Sequence, residues 1–365
     1  MKHIFLMVNL LAFISLDNHS QRGFNRYRHN ELNLFIITVD GFRWQEVFLG
    51  ADSAIISDET LTPDASYVKT MYWSPDYNER RKKLLPFFWN VIASQGQIYG
   101  NRNFGNKINV ANFYDISYAG YNELMTGTSD PLIYSNDKKE NRNINLLEFL
   151  DSREDFHGKV AAFTSWDVFP YILNQKRNSL PVNSGYEQID DPNLTGTENK
   201  INAVQSLITS RGATRQDRLT FIAAKEYAEK NHPRVLYLAL GETDEYAHHR
   251  RYDRYLEKAA DMDRMIAELW HWTQTTDGYR NNTLFLITTD HGRGSSFANW
   301  SNHGLFTPGS SQTWMACLGP GIDSLGELKT RKQYYSKQMI TTFSGMLGAE
   351  FKANNKSIAE VVHNR

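Results

Sequence analysis

The chain has 365 residues, 41% of them apolar and 22% charged. That ordinary globular composition excludes a disordered, collagen-like or coiled-coil protein. Forty Lys and Arg against 41 Asp and Glu leave a net charge of −1, so nucleic acid is not an expected partner, and the single cysteine, Cys317, excludes both an internal disulfide framework and a cysteine-rich zinc site.

Lys2 and His3 precede a mostly apolar run, residues 4–16, broken by Asn9 and Ser15. Residues 1–20 read as a secretory signal peptide, which implies export to the periplasm or beyond. No Cys lies near the run, which excludes a lipoprotein anchor. The mature chain is then residues 21–365, expected as one catalytic domain. No run reaches the ~20 apolar residues of a membrane span, so no stable membrane insertion is expected.

Five short apolar runs follow, at residues 34–41, 159–164, 235–240, 283–290 and 314–319. Continuous apolar runs of this length read as strands buried on both faces. Helical patterns lie between them. Residues 217–231 open on an N-cap type residue. Leu256, Ala259, Met262, Ile266 and Leu269 recur at spacings of three and four, and residues 337–347 end at Gly348. The expected fold class is α/β, a mostly parallel central sheet flanked by helices. Three polar segments fit this core poorly: residues 51–83, 128–146 and 171–216. They read as surface insertions.

Asp40 closes the first run. Asp244 follows the third, with His248 four residues later. Asp290 and His291 end the fourth, and His303 comes twelve residues after His291. All six therefore fall at the carboxyl edge of the sheet, where such folds bind ligands. Singly, each is equally well read as a turn residue or helix cap. Together, three carboxylates and three imidazoles repel one another unless cations neutralise them. This donor set suits divalent ions such as zinc, each taking ~4 ligands, and six side chains plus one shared group would serve two. Manganese or iron would accept the same donors.

A two-metal site stabilises displacement at phosphorus, and it needs a nucleophile. Ser117 precedes residues 119–125, which could open a helix. A hydroxyl there meets free backbone N–H groups and the positive end of the helix dipole. The alternative is that Ser117 merely caps that helix.

The ordered series Thr-Val-Asp-Gly-Phe-Arg, Ile-Ser-Tyr-Ala-Gly-Tyr-Asn-Glu-Leu-Met-Thr-Gly, Asp-Glu-Tyr-Ala-His, Thr-Thr-Asp-His-Gly and Asn-His-Gly resembles the alkaline phosphatase superfamily. More narrowly, it is similar to the nucleotide pyrophosphatase/phosphodiesterase and metalloenzyme branches, over roughly residues 34–350. The resemblance implies an alkaline-phosphatase-like core and a hydrolase acting on small-molecule phosphate esters, mono- or diesters. It implies that Asp40, Asp290, His291 and Ser117 Oγ hold one metal ion, and Asp244, His248 and His303 the other. Ser117 would form a covalent phosphoserine. Backbone N–H groups after Ser117, and Asn122, would bind the non-bridging oxygens.

The motifs also depart from their relatives. Sulfatases carry Cys/Ser-x-Pro-x-Arg, whereas Ser117 is followed by Tyr-Ala-Gly. The phosphodiesterase branch carries Thr followed by Phe-Pro-Asn. Arg43 and Arg102 are candidate phosphate clamps from other loops. Arg293 reads as a solvated loop arginine, and Trp73, Trp89, Trp166 and Trp300 as core or rim packing. Two rival functions share the site: a phosphomutase or phosphotransferase, and a metal-binding protein without catalysis.

Overall fold

The computed structural model describes residues 32–351, 353 and 355–361; the expected signal peptide lies outside them. The described residues form eleven strands: β1 (Asn33–Val39), β2 (Gln97–Tyr99), β3 (Asn106–Asn109), β4 (Val160–Thr164), β5 (Val182–Ser184), β6 (Val235–Leu240), β7 (Thr283–Thr288), β8 (Gln312–Thr313), β9 (Met315–Leu318), β10 (Gly326–Glu327) and β11 (Lys332–Tyr335). Eight of them make the central sheet, in the order β10-β2-β9-β7-β1-β6-β4-β5. Strands β7, β1, β6, β4 and β5 run parallel; β9 runs against them, antiparallel to both of its neighbours β7 and β2, so that β2 and β10 return to the common direction. A small sheet, β11-β3-β8, stands apart. The five runs expected as strands are β1, β4, β6, β7 and β9.

Alternation explains why these runs are apolar throughout. Phe35, Ile37 and Val39 of β1 and Leu236, Leu238 and Leu240 of β6 enter one core. Their neighbours Leu34, Ile36, Val235, Tyr237 and Ala239 enter a second core on the opposite face. Helices Asp217–Asn231 and Tyr252–Thr275 close the first through Phe221, Ala224, Leu256, Met262 and Ile266. Helices Ser117–Thr126, Leu146–Asp151 and Gln338–Met346 close the second. The result is a three-layer α/β/α arrangement, as the sequence pattern predicts.

The polar segments are more involved in the fold than their composition suggests. Residues 51–83 form helices Ser53–Ile56, Ala65–Tyr72 and Tyr77–Leu84, capped by the carboxylates of Asp52, Asp64 and Asp76. Leu61, Val68 and Tyr72 from this segment join the first core. Residues 171–216 are not confined to the surface. They supply β5, the sheet edge, and the buried Arg215, which donates to Asn183, Gln205 and Thr220. A three-residue strand is too short to register as a periodic pattern. Residues 128–146 stay irregular up to Asn145, which caps the Leu146–Asp151 helix.

Leu238 sits at the centre of β6, fully packed in the first core. Leu238→Ala should cost about 3 kcal/mol in urea unfolding, seen as a lower midpoint at unchanged slope. A loss below about 1 kcal/mol would show that this layer is not the principal core.

Candidate active site

Strand ends set out the site. Asp40 follows β1, Asp290 and His291 follow β7, and β6 runs through Gly241 into helix Glu242–His248, which carries Asp244 in its first turn and His248 in its last. Two glycines permit the crowding. Gly41, at φ +57, turns the chain directly after Asp40, and its N–H donates to Asp290 Oδ1 at 3.0 Å. A Cβ on Gly41 would lie 2.8 Å from both Arg293 Nε and Asp244 Oδ1. A Cβ on Gly120 would come within 2.3 Å of the Asp290 carbonyl, so the helix bearing Ser117 could not sit against the end of β7.

Two groups of metal-capable side chains result, Asp40–Asp290–His291 and Asp244–His248–His303. In the first, His291 Nε2 lies 3.5 Å from Asp40 Oδ1 and 3.4 Å from Asp290 Oδ2. Ser117 Oγ joins it, 3.2 Å from His291 Nε2 and 3.4 Å from Asp40 Oδ1. In the second, His248 Nε2 is 3.1 Å from Asp244 Oδ2 and 3.1 Å from His303 Nε2. The groups adjoin: His291 Nε2 is 4.0 Å from Asp244 Oδ1, and the His291 and His303 rings stack at 4.0 Å.

The donor set fits cations. His291 Nδ1 faces the Gly292 carbonyl at 2.9 Å and His303 Nδ1 the Asp115 carbonyl at 3.0 Å. Each carbonyl needs a donor, so each Nδ1 carries the proton and each Nε2 presents a lone pair to the site. Asp290 Oδ2 is buried with no hydrogen-bond partner. Burial, and for Asp40 the neighbouring Asp290 charge, raise both carboxyls to about 7. Burial also lowers the pKa of His291 and His303, keeping both neutral. Such a site holds bare lone pairs and unwilling anions until a cation enters.

Each residue expected from sequence has a definite place. Asp40, Asp244, His248, Asp290, His291, His303 and Ser117 converge. Ser117 is not the helix cap: Ile116 occupies that position, and the Ser117 hydroxyl turns to Asp40 and His291. Asn122 does not join them. Its amide donates to the Thr128 carbonyl at 2.7 Å, and its oxygen accepts from Asn141 and Asn143. Five positions along a helix of 3.6 residues per turn, it faces away from Ser117 and anchors the following loop. The first N–H after Ser117 is also committed, since Tyr118 donates to Asn136 Oδ1 at 3.0 Å. Arg43 is spent on Glu46 and the Gly294 carbonyl, and Arg102 on the Ile108 carbonyl and Asn109, so neither clamps phosphate. Arg293 is buried rather than solvated, and its guanidinium meets Asp244. Trp89 and Trp300 are buried, as packing residues should be.

Three residues escaped the sequence reading. Asn136 brings its side chain to the start of the Ser117 helix, from a loop where one Asn among many carries no distinguishing pattern. Asp115 adopts φ +50, which turns its carbonyl to His303. Glu123 accepts the Ala111 and Asn112 N–H groups and so fixes the loop that leads into Ser117.

This combination of a mostly parallel three-layer fold and paired metal-capable clusters defines a hydrolase of the alkaline phosphatase superfamily, whose members are metal-dependent. The chain belongs to the type I phosphodiesterase/nucleotide pyrophosphatase family, whose sequence profile matches residues 63–307, and is a phosphoric ester hydrolase. No curated protein sequence matches the chain. Among solved structures, the alkaline phosphatase PafA is 11% identical with a TM-score of 0.57, the match covering 91% of this chain and 99% of that one. The lipoteichoic acid synthase LtaP from Listeria monocytogenes is 12% identical, TM-score 0.54, over 90% of this chain and 74% of its own. A 2-O GAG sulfatase is 12% identical, TM-score 0.54, over 91% and 74%. At these identities the likeness is one of fold. Among the described residues, no helix is long and apolar enough to cross a membrane.

The raised carboxyl pKa values carry a sign for cation binding. Asp40 and Asp290 hold protons up to about 7, and a cation must displace them, whereas His291 and His303 are neutral already. Affinity for Zn2+ or Mn2+ should therefore rise between pH 5.5 and 8, with protons released at the lower pH. Calorimetry in two buffers of different ionisation enthalpy reads this, and a pH-independent affinity without proton release would contradict it.

Proposed function

We propose that the chain hydrolyses phosphate diesters of small organic molecules through a covalent phosphoserine at Ser117. The observation that carries this reading is the placement of Ser117 Oγ within 3.4 Å of Asp40 and 3.2 Å of His291, at the N-terminus of a helix. Asp40, Asp290 and His291, with Ser117 Oγ, would hold one divalent ion, and Asp244, His248 and His303 a second. Zinc suits this mix of carboxylate and imidazole, and manganese shares it. When bound, the two ions supply positive charge that favours the ionised forms of a hydroxyl and of water at neutral pH.

The chain's own residues then do the following. Ser117 Oγ gives up its proton to solvent and attacks phosphorus, and the ester oxygen departs with the bonding pair and takes up a proton from solvent. Water next attacks the same phosphorus, and the Ser117 oxygen leaves and regains a proton. The start of the Ser117 helix points its dipole at the developing charge. Asn136, held by the Tyr118 N–H through its Oδ1, has its amide N–H groups left to donate to a phosphoryl oxygen. In this reading Asn136 takes the role first expected of Asn122.

The charge around Ser117 favours a diester over a monoester. Arg43 and Arg102 are committed to protein groups, and Arg293 faces Asp244. Little side-chain cation is left to meet the second negative charge of a monoester. A cleft of about 200 Å³ beside Tyr118 is walled by Leu132, Ile133 and Tyr134 and by Lys139 and Arg142, whose charges are paired with Asp137 and Asp130.

Hydrolysis of bis-p-nitrophenyl phosphate and p-nitrophenyl phosphate, compared in the metal-loaded protein, tests this. The diester should be preferred, and Ser117→Ala should lose at least about a thousandfold in kcat while keeping bound metal. A fully active Ser117→Ala protein would refute the serine mechanism. The two asparagines separate cleanly. Asn136→Ala should lower kcat about a hundredfold, the usual cost of one donor to a transition-state oxygen. Asn122→Ala should instead lower stability by about 1–3 kcal/mol, by stripping partners from buried amides. The reverse pattern would restore Asn122 to the site.

A further inference from the structure

The Asp-His-Gly motif is followed by an arginine that the mechanism above does not use. Arg293 is fully buried. Its Nε donates to the Gly41 carbonyl at 3.1 Å and its Nη2 to the Asp244 carbonyl at 3.3 Å. Another nitrogen donates to the Ser301 carbonyl, and the guanidinium closes on Asp244 Oδ1. Nothing about these contacts is loose: three backbone carbonyls fix the fork, and Gly41 leaves it room.

The two clusters are consequently unequal. Asp40, Asp290 and His291 expose at most 6% of their side chains and carry two carboxylates, of which Asp40 feels the Arg293 charge without being the partner of its ion pair. Asp244 and His248 expose 18% and 50%, and their one carboxylate is already paired with a guanidinium. Formally the first cluster offers a cation a charge of −2, and the second offers zero. One oxygen of Asp244 faces Arg293, which leaves Oδ2, at 3.1 Å from His248, as its free donor.

We propose that Arg293 is a resident cation of the second cluster, a positioning residue that limits Asp244 to one donor oxygen and makes this the weaker, more exchangeable of two metal positions. The inference rests on the reading of both clusters as metal sites. It adds an order of loading: the buried Asp40–Asp290–His291 position fills first and the Asp244–His248–His303 position second, against the arginine's charge. Like charges a few ångströms apart repel strongly in a partly buried site.

The test is a titration of the demetallated full chain with Zn2+ in competition with a chromophoric chelator. Wild type should show two classes of site at least about tenfold apart in Kd. Arg293→Gln keeps a donor for Asp244 but removes the charge, and should tighten the weaker class by about tenfold and the tighter one, whose Asp40 also feels that charge, by less. Arg293→Lys keeps the charge and should behave as wild type. Asp244→Asn should lose only the weaker class, and Asp40→Asn the tighter one. Equal affinities in wild type, loss of the tighter class in Asp244→Asn, or a weaker second class in Arg293→Gln would each overturn the proposal while leaving the metal reading intact. No binding of Zn2+ at all would overturn both. Should Arg293→Gln fail to fold, the wild-type and Asp244→Asn isotherms still decide.

Discussion

The structure is organised around an electrostatic conflict at one edge of its sheet. Three carboxylates and three imidazoles stand within a few ångströms of one another, several of them out of reach of water. Buried anions of like sign oppose one another's ionisation, and imidazoles whose Nδ1 protons are already committed have only lone pairs to offer. Protein groups relieve part of this. The Gly41 N–H meets Asp290, Tyr121 donates to Asp40 Oδ2 at 3.1 Å, and Arg293 meets Asp244. They do not relieve Asp290 Oδ2. In the proposed reading, divalent cations complete the set.

The fold holds the conflict by giving each participant a separate rigid support. Asp40 and Asp290 end adjacent parallel strands, β1 and β7, paired residue by residue from Asn33–Thr283 to Thr38–Thr288. Asp244 and His248 ride a short helix at the end of β6, and Thr243 donates to the Asp40 carbonyl at 2.6 Å, tying that helix to β1. The Ser117 helix enters from the opposite face and approaches only because residue 120 is glycine. Side chains so mounted cannot drift apart to escape repulsion, which is the requirement for a preorganised charge site.

Much of this was legible in the sequence because strand-borne residues advertise themselves. A run of apolar residues ending in Asp, or Asp-His, states both the strand and the edge at which its last side chain lies. The five runs are strands of the central sheet, and the six Asp and His side chains gather at one edge of it. What failed to read was loop-borne or depended on partners. Asn136 reaches the Tyr118 N–H from 18 positions away, through a loop with no periodicity. Asn122 has the right residue type near the right serine, but helical rotation turns it away. Arg293 looks like any exposed loop arginine until Gly41, Ser301 and Asp244 are seen to enclose it. Burial of a charge is a property of the assembled fold, and composition gives no sign of it.

The same division bears on chemistry. An alkaline phosphatase, a sulfatase and a lipoteichoic acid synthase share this architecture, so the strand-end frame alone does not choose a substrate. Choice lies with the loops that close on Ser117, and here they are bound to one another. Asp115 holds His303, Tyr114 donates to the Pro131 carbonyl at 2.7 Å, Asn136 caps Tyr118, and Asn122 gathers Thr128, Asn141 and Asn143. In the proposed reading, the loops that would select the ester are thus joined to the Ser117 helix and to the second cluster through backbone and amide hydrogen bonds.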